Sequence, residues 1–261
     1  MADTIQEVLQ AFAKGELVVV TDDDDREGEG DLIVAASFCT AEKMAFIIRH
    51  TSGIVCAPIT TEDARRLRLD PMVAHNESNH TTAFTVSIDY KPDGGTGISA
   101  EERASCCRAL ANPNAGANDF ARPGHIFPLI ARDGGVLLRS GHTEAAVDLC
   151  RLSGLPPVGV ISELMNDDGT VMKGEQVAKF AAAHKLKHVT IADMIAYRQA
   201  RENMDQTIDD MSERGGAMFS AAQDAANSLE ERLEDVISQR PLATVGLALG
   251  LGFLIGVSWK R

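Results

Sequence analysis

The sequence lacks any C-x-x-C pair, any excess of basic charge and any leader-like start, and each absence removes a class of function. Its five cysteines, Cys39, Cys56, Cys106, Cys107 and Cys150, are odd in number. That argues against a structural zinc site and against a secreted disulfide framework, so reduced thiols are expected. Lys and Arg total 25 against 38 Asp and Glu, a formal charge of −13. A general nucleic-acid binder needs a basic face to neutralise phosphate, so no nucleic-acid partner is expected. The opening MADTIQEVLQAF has neither the basic nor the apolar region of a signal peptide, which points to a cytoplasmic protein.

With 261 residues, 44% hydrophobic and 24% charged, the chain has room for one large domain and an appendage. Apolar spacing predicts helices over 4–14, 40–50, 61–69, 99–110, 143–152, 174–184 and from 191 onward. It predicts strands over 17–20, 32–36, 54–59, 83–88, 135–138, 157–161 and 189–191. The alternation lacks the strict βαβ spacing of a nucleotide-binding fold. The expected class is therefore α+β, a mixed β-sheet core with surrounding helices over residues 1–198 and a C-terminal helical extension. Residues 199–240 read as an acidic amphipathic helical linker and 241–261 as a glycine-rich apolar tail. Residues 242–258 carry no charge and precede Trp259, Lys260 and Arg261; as a helix they span roughly 25 to 27 Å, near the lower limit for a bilayer core. Three readings compete. The tail is an anchor to the cytoplasmic face of an inner membrane through 242–259, a helix-packing segment through its G-x-x-x-G spacings, or a buried helix of the soluble domain. Glycine at this density makes a poor helix in water, so the anchor is the reading adopted.

The negative charge is concentrated. Residues 16–31 hold eight acids with Arg26 as the lone base, and TDDDDREGEGD (21–31) directly follows an apolar strand. Seven carboxylates on a loop fixed at one end repel one another unless a cation sits among them. Hard oxygens without thiolates suit Mg²⁺ or Mn²⁺. An acidic surface turn is the simpler alternative, but Arg26, Gly28 and Gly30 suggest a shaped site, and the spacing is not that of a calcium EF-hand. Arg139-Ser140-Gly141-His142-Thr143-Glu144 falls between an expected strand and helix. A helix N-terminus with Arg139 beside it favours phosphate, and His142 can bind a divalent metal; Thr143 is otherwise simply the N-cap. In Arg122–Pro128 two prolines and a glycine hold His125 in a rigid, non-helical turn, as a general acid/base requires, unless it is only a surface histidine. Glu163, ending an apolar strand, is either a partner for a base or a catalytic group itself.

Seven blocks occur in order: D-R-E-x-E-G-D (25–31), S-G-I-V-C (52–56), A-F-T-V-S (83–87), T-G-I-S (96–99), R-P-G-H-I-F-P-L (122–129), G-H-T-E-A (141–145) and E-L-M-N-D-D-G (163–169). Together they closely resemble the 3,4-dihydroxy-2-butanone 4-phosphate synthase family over roughly residues 4–198. The resemblance implies that fold and the conversion of D-ribulose 5-phosphate into 3,4-dihydroxy-2-butanone 4-phosphate and formate, with Mg²⁺ or Mn²⁺, in a homodimer. It implies Glu27 and His142 as metal ligands. It implies Arg26, Glu27, Asp31, Arg139, Ser140, Gly141, His142, Thr143 and Glu163 as substrate-binding residues, and His125 and Glu163 as essential for catalysis. Gly28 stands where the family often has Asn. Residues 202–261 resemble, by pattern, small membrane-anchored proteins associated with ribosomes, which implies a tethered enzyme; the contrasting reading is a tethered scaffold whose synthase domain is inactive.

Overall fold

Runs of β-branched residues build the centre of the molecule. The computed structural model describes residues 2–23 and 25–208 and the isolated positions 220, 223, 224 and 228. The chain divides into two compact units, 1–200 and 201–261. In the first, β1 (Val18–Thr21) and β2 (Gly30–Ala35) form an antiparallel hairpin whose connection is the acidic loop. With β3 (Cys56–Ile59), β4 (Ile88–Tyr90), β5 (Phe120–Ile130), β6 (Gly159–Glu163) and β7 (Lys187–Thr190) they make one seven-stranded sheet, ordered β4-β5-β3-β6-β2-β1-β7. The β1–β7 and β3–β5 pairs are parallel and the rest antiparallel. This is the mixed sheet of the expected α+β class.

The helices are α1 (Ile5–Ala13), α2 (Ala41–His50), α3 (Thr61–Arg66), α4 (Ala100–Leu110), α5 (His142–Leu152) and α6 (Glu175–His184); residues 191–200 are also helical. Side chains alternate across the sheet with the period of two that a strand imposes. Val19, Leu32 and Val34 join a core with Met44, Ile47, Leu110 and Phe180. Val18, Val20, Ile33 and Ala35 join another with Val8, Phe12 and Leu149. Helices therefore cover both faces, and each large aliphatic side chain so buried is worth about 1.5–3 kcal/mol. Thr4 with Glu7, and Ser99 with Glu102, form capping boxes, while Thr40 and Thr60 cap α2 and α3. These satisfy N–H groups that a helix start leaves open.

Three expectations need correction. Residues 135–138 are not a strand: Gly135–Leu137 is a single 3₁₀ turn, entered through Gly134 and Gly135 at φ of 98° and 64°. Such left-handed backbone breaks a ladder. The strand expected over 83–88 is reduced to single bridges at Phe84 and Thr85, with β4 beginning at Ile88. Residues 122–128, read as a turn, lie inside the 11-residue β5. The pairing with β4 jumps from Ile88↔Ile126 to Asp89↔Ala121, so residues 122–125 form a bulge in that strand. Proline, which cannot donate to a ladder, is tolerated at such a bulge. Most of the linker (199–240) and all of the tail (241–261) lie outside the described residues, and no described helix is long and apolar enough to cross a membrane.

The bulge depends on Gly124. A Cβ there would lie 2.0 Å from the Ile88 carbonyl carbon and 2.3 Å from the Asp89 nitrogen, and backbone cannot rotate away as a side chain can. Gly124→Ala is expected to cost about 3 kcal/mol in urea unfolding; an unchanged midpoint would show that the bulge has slack.

Candidate active site

The acidic loop is drawn into a closed shape by Asp22. Its Oδ1 accepts the Glu29 amide at 3.0 Å and its Oδ2 accepts the Arg26 guanidinium at 2.6 Å. The Asp22 amide donates to the Glu29 carbonyl at 3.3 Å. Gly28 turns the loop with φ of 65°, a conformation that Gly and Asn share. Arg26 also reaches Glu27 Oε2 at 2.9 Å, and His80 Nε2 lies 3.3 Å from Glu27 Oε1. Asp22, Glu27 and His142 each present one ligand atom within 4.8 Å of the others.

His142 is the first residue of α5 and is buried. Its Nε2 lies 3.1 Å from the Val20 carbonyl, which can only accept, so Nε2 carries the hydrogen. Burial holds the imidazole below its ordinary pKa, favouring the neutral ring and leaving Nδ1 as a lone pair. Nδ1 faces Asp31 Oδ1 at 3.7 Å, and that oxygen is buried with no hydrogen-bond partner. Burial, then the charges of Glu163, Glu27, Asp22 and Glu29, push the Asp31 carboxyl well above the usual range. An orphaned carboxyl oxygen facing an imidazole lone pair, with two more carboxylates beside it, fits a hard divalent cation; without one, a proton takes the place.

Above this floor, α5 begins at Gly141 with no side-chain cap, so the N-cap role considered for Thr143 is not the one it has. The free N–H groups and dipole of that helix start suit an anion. Arg139 is braced by the buried Glu144 and donates to Thr82 Oγ1 at 2.9 Å and to the His80 carbonyl at 3.2 Å. Arg26, Glu27, Asp31, Arg139, His142, Thr143 and Glu163 converge on one cavity of about 90 Å³, walled also by Cys56, Thr82 and Phe84. Ser140 and Gly141 lie on the turn leading into α5, outside that wall. A larger cavity of about 610 Å³ shares Thr82 and Phe84 but is lined mainly by apolar groups of residues 71–84 and no acid. The smaller cavity is where the charges meet.

Glu163 sits opposite Asp31 across the β2–β6 ladder, and its Oε2 accepts the Ser52 hydroxyl at 2.8 Å. His125 does not line the cavity. Its Nδ1 is 2.8 Å from Asp89 Oδ2, and its amide donates to Asp89 Oδ1 at 2.9 Å. A carboxylate oxygen accepts, so Nδ1–H donates and Nε2 is left to take or give a proton. β5 and β6 flank β3, so His125 and Glu163 come from strands about 10 Å apart. Sequence reasoning did not single out Asp22 as a ligand, nor Asp89 or Thr82. Asp22 stood in a run of four aspartates, and Asp89 meets His125 only through the fold.

A family model described as 3,4-dihydroxy-2-butanone 4-phosphate synthase matches residues 6–197. The chain is 51% identical over 204 residues to the riboflavin biosynthesis protein RibBA of Bacillus mycoides (strain KBAB4), covering 78% of this chain and 51% of that protein. To the RibBA of Salinispora arenicola (strain CNS-205) it is 50% identical over 205 residues, covering 78% and 49%. It thus spans about half the length of the curated relatives it matches. Among solved structures, a 3,4-dihydroxy-2-butanone 4-phosphate synthase in complex with two magnesium ions is 49% identical with a TM-score of 0.75, over 77% of this chain and 98% of that one. RibBX, a two-domain synthase from A. baumannii, is 42% identical with a TM-score of 0.72, over 75% and 58%.

Asp31 holds its proton more tightly in the folded chain than in the unfolded one. Its stabilising contribution in the metal-free protein is full below its ordinary value of 3.8 and is lost as pH rises through the folded-state value. The stability of the native chain relative to Asp31→Asn is expected to fall as pH rises above about 4, and added Mg²⁺ to reverse the trend. A difference independent of pH in urea denaturation would overturn it.

Proposed function

Because the chain belongs to the 3,4-dihydroxy-2-butanone 4-phosphate synthase family, we propose that it converts D-ribulose 5-phosphate into 3,4-dihydroxy-2-butanone 4-phosphate and formate, a step of riboflavin biosynthesis. The observation that carries this reading is the convergence, in one cavity, of an acidic cluster with a buried histidine and of a helix N-terminus with an arginine. The first suits a hard cation and the second a phosphate, and a sugar phosphate handled with Mg²⁺ or Mn²⁺ needs both.

Glu27 and His142 would hold the divalent ion, with Asp22 close enough to support them. Bound there, it would supply Lewis-acid polarisation of a ketose carbonyl and its hydroxyls. Arg139 and the N–H groups of Ser140 and Thr143 bind the phosphate; Gly141, whose own N–H goes to the Arg139 carbonyl, turns the chain between them. Arg26 and Asp31 orient the sugar from the acidic loop. Glu163, steadied by Ser52, exchanges protons with the sugar carbons and hydroxyls. His125, which lies outside this cavity in the single chain, is the second proton-exchanging group in this reading, through Nε2, while Asp89 holds its ring. Enolisation, skeletal rearrangement and formate loss each need such a group fixed in place. We read the enzyme as a homodimer, and the domain limits as 1–198, 199–240 and 241–261. A tether through 242–259 rests on the sequence pattern alone.

Formate release from D-ribulose 5-phosphate by the purified chain tests the assignment. Chelator is expected to abolish it, and Glu163→Gln or His125→Gln to lower kcat by about 10²–10⁴-fold. Full activity in Glu27→Ala or His142→Ala would sink the metal assignment, and no formate from the native chain would favour the inactive scaffold. If the tether holds, the full chain sediments with membrane vesicles; equal solubility of a chain ending at 198 and the full chain would remove it.

A further inference from the structure

Lys173 lies outside the cavity, in the segment between β6 and α6, two residues before Glu175. Its Nζ donates to the backbone carbonyl of Glu27 at 2.6 Å and pairs with Glu29 Oε1 at 3.3 Å. The backbones of Lys173 and Glu29 also form an antiparallel bridge. Nearby, α6 packs closely on the start of β2, since a Cβ on Gly30 would come within 2.5 Å of Val177 Cγ1. The half of the loop that carries Glu27 is therefore gripped from the α6 side, while Asp22 ties its two ends together from within.

We propose that Lys173 is a positioning residue for the cation site: by fixing the Glu27 peptide it aims the Glu27 carboxylate at Asp22 and His142. This rests on the reading that Glu27 and His142 hold a divalent ion. The hydrogen bond is made to the main chain of the ligand residue itself. It therefore constrains the peptide from which the side chain departs, which a charge pair at the loop surface would not do.

Charge and orientation predict opposite signs. An ammonium near the site repels a divalent ion, so if charge were all that mattered, removing it would tighten binding. That repulsion is weak here because the Lys173 side chain is 56% exposed and solvent and salt screen it. Loss of an outer partner that orients a metal ligand typically weakens metal affinity 10–100-fold, so the orienting effect dominates.

Calorimetric titration of Mg²⁺ into the full chain separates the two. Lys173→Met, which keeps the stem and removes the donor, is expected to raise the Mg²⁺ Kd about 10-fold or more, while Lys173→Arg stays close to native. Because the position is exposed, both variants are expected to keep the native melting curve. A second readout needs no metal. The amides of Gly28 and Glu29, bonded to the Asp23 carbonyl and Asp22 Oδ1, should exchange hydrogen faster in Lys173→Met and at the native rate in Lys173→Arg. An unchanged or tighter Kd in Lys173→Met, or unchanged amide exchange, overturns the proposal. Absence of Mg²⁺ binding by the native chain would instead overturn the metal reading, and the amide exchange would still report whether Lys173 holds the loop.

Discussion

The burial of the Asp31 carboxyl is the constraint around which the rest of the site is arranged. It sits on a hydrophobic strand, directly across the ladder from Glu163 and facing the lone pair of His142. Like charges opposite each other on a sheet are destabilising, and a buried acceptor without a donor costs about 1–3 kcal/mol. A positive species entering the gap, a proton or a divalent ion, would offset this cost. Affinity for a cation and instability without one are thus the same feature seen from two sides.

The sheet order explains how the charges are gathered. β2 lies between β1 and β6, so one central strand brings together the loop acids of the hairpin and Glu163. α5 crosses that face and delivers His142 at its first turn, where backbone N–H groups are also unspent. An acidic cluster suited to a hard cation and a helix start suited to an anion therefore share one floor. The hairpin connection, residues 22–29, carries −5 of the net charge of −13.

Much of this was legible in the residues. The α+β class, the helix starts at Thr40 and Ser99 and the acidic loop all follow from local pattern, because capping and apolar periodicity act over a few residues. What escaped was non-local or broken in period. Residues 122–128 were misread because a bulged strand rich in proline has no alternation to detect. Residues 135–138 looked like a strand because their apolar content says nothing about two consecutive left-handed glycines. Asp89 reaches His125 across 36 residues of chain, and Lys173 reaches Glu27 across 146. No spacing rule connects them; only strand pairing does.

All five cysteines are free and buried, with the Cys39 and Cys150 thiols pushed up to about 12. Cys56 is the one that lines the cavity, and burial together with the charges of Glu163 and Asp31 pushes its thiol higher still. A neutral thiol is a poor ligand, so the donors this wall offers to an incoming ion are oxygens and one imidazole nitrogen. Soft ions such as zinc or copper draw their advantage from thiolate, and here they find none ready. Burial, with a smaller push from the Glu163 and Asp31 carboxylates, keeps this sulfur protonated, so the wall beside the acidic cluster presents hard donors.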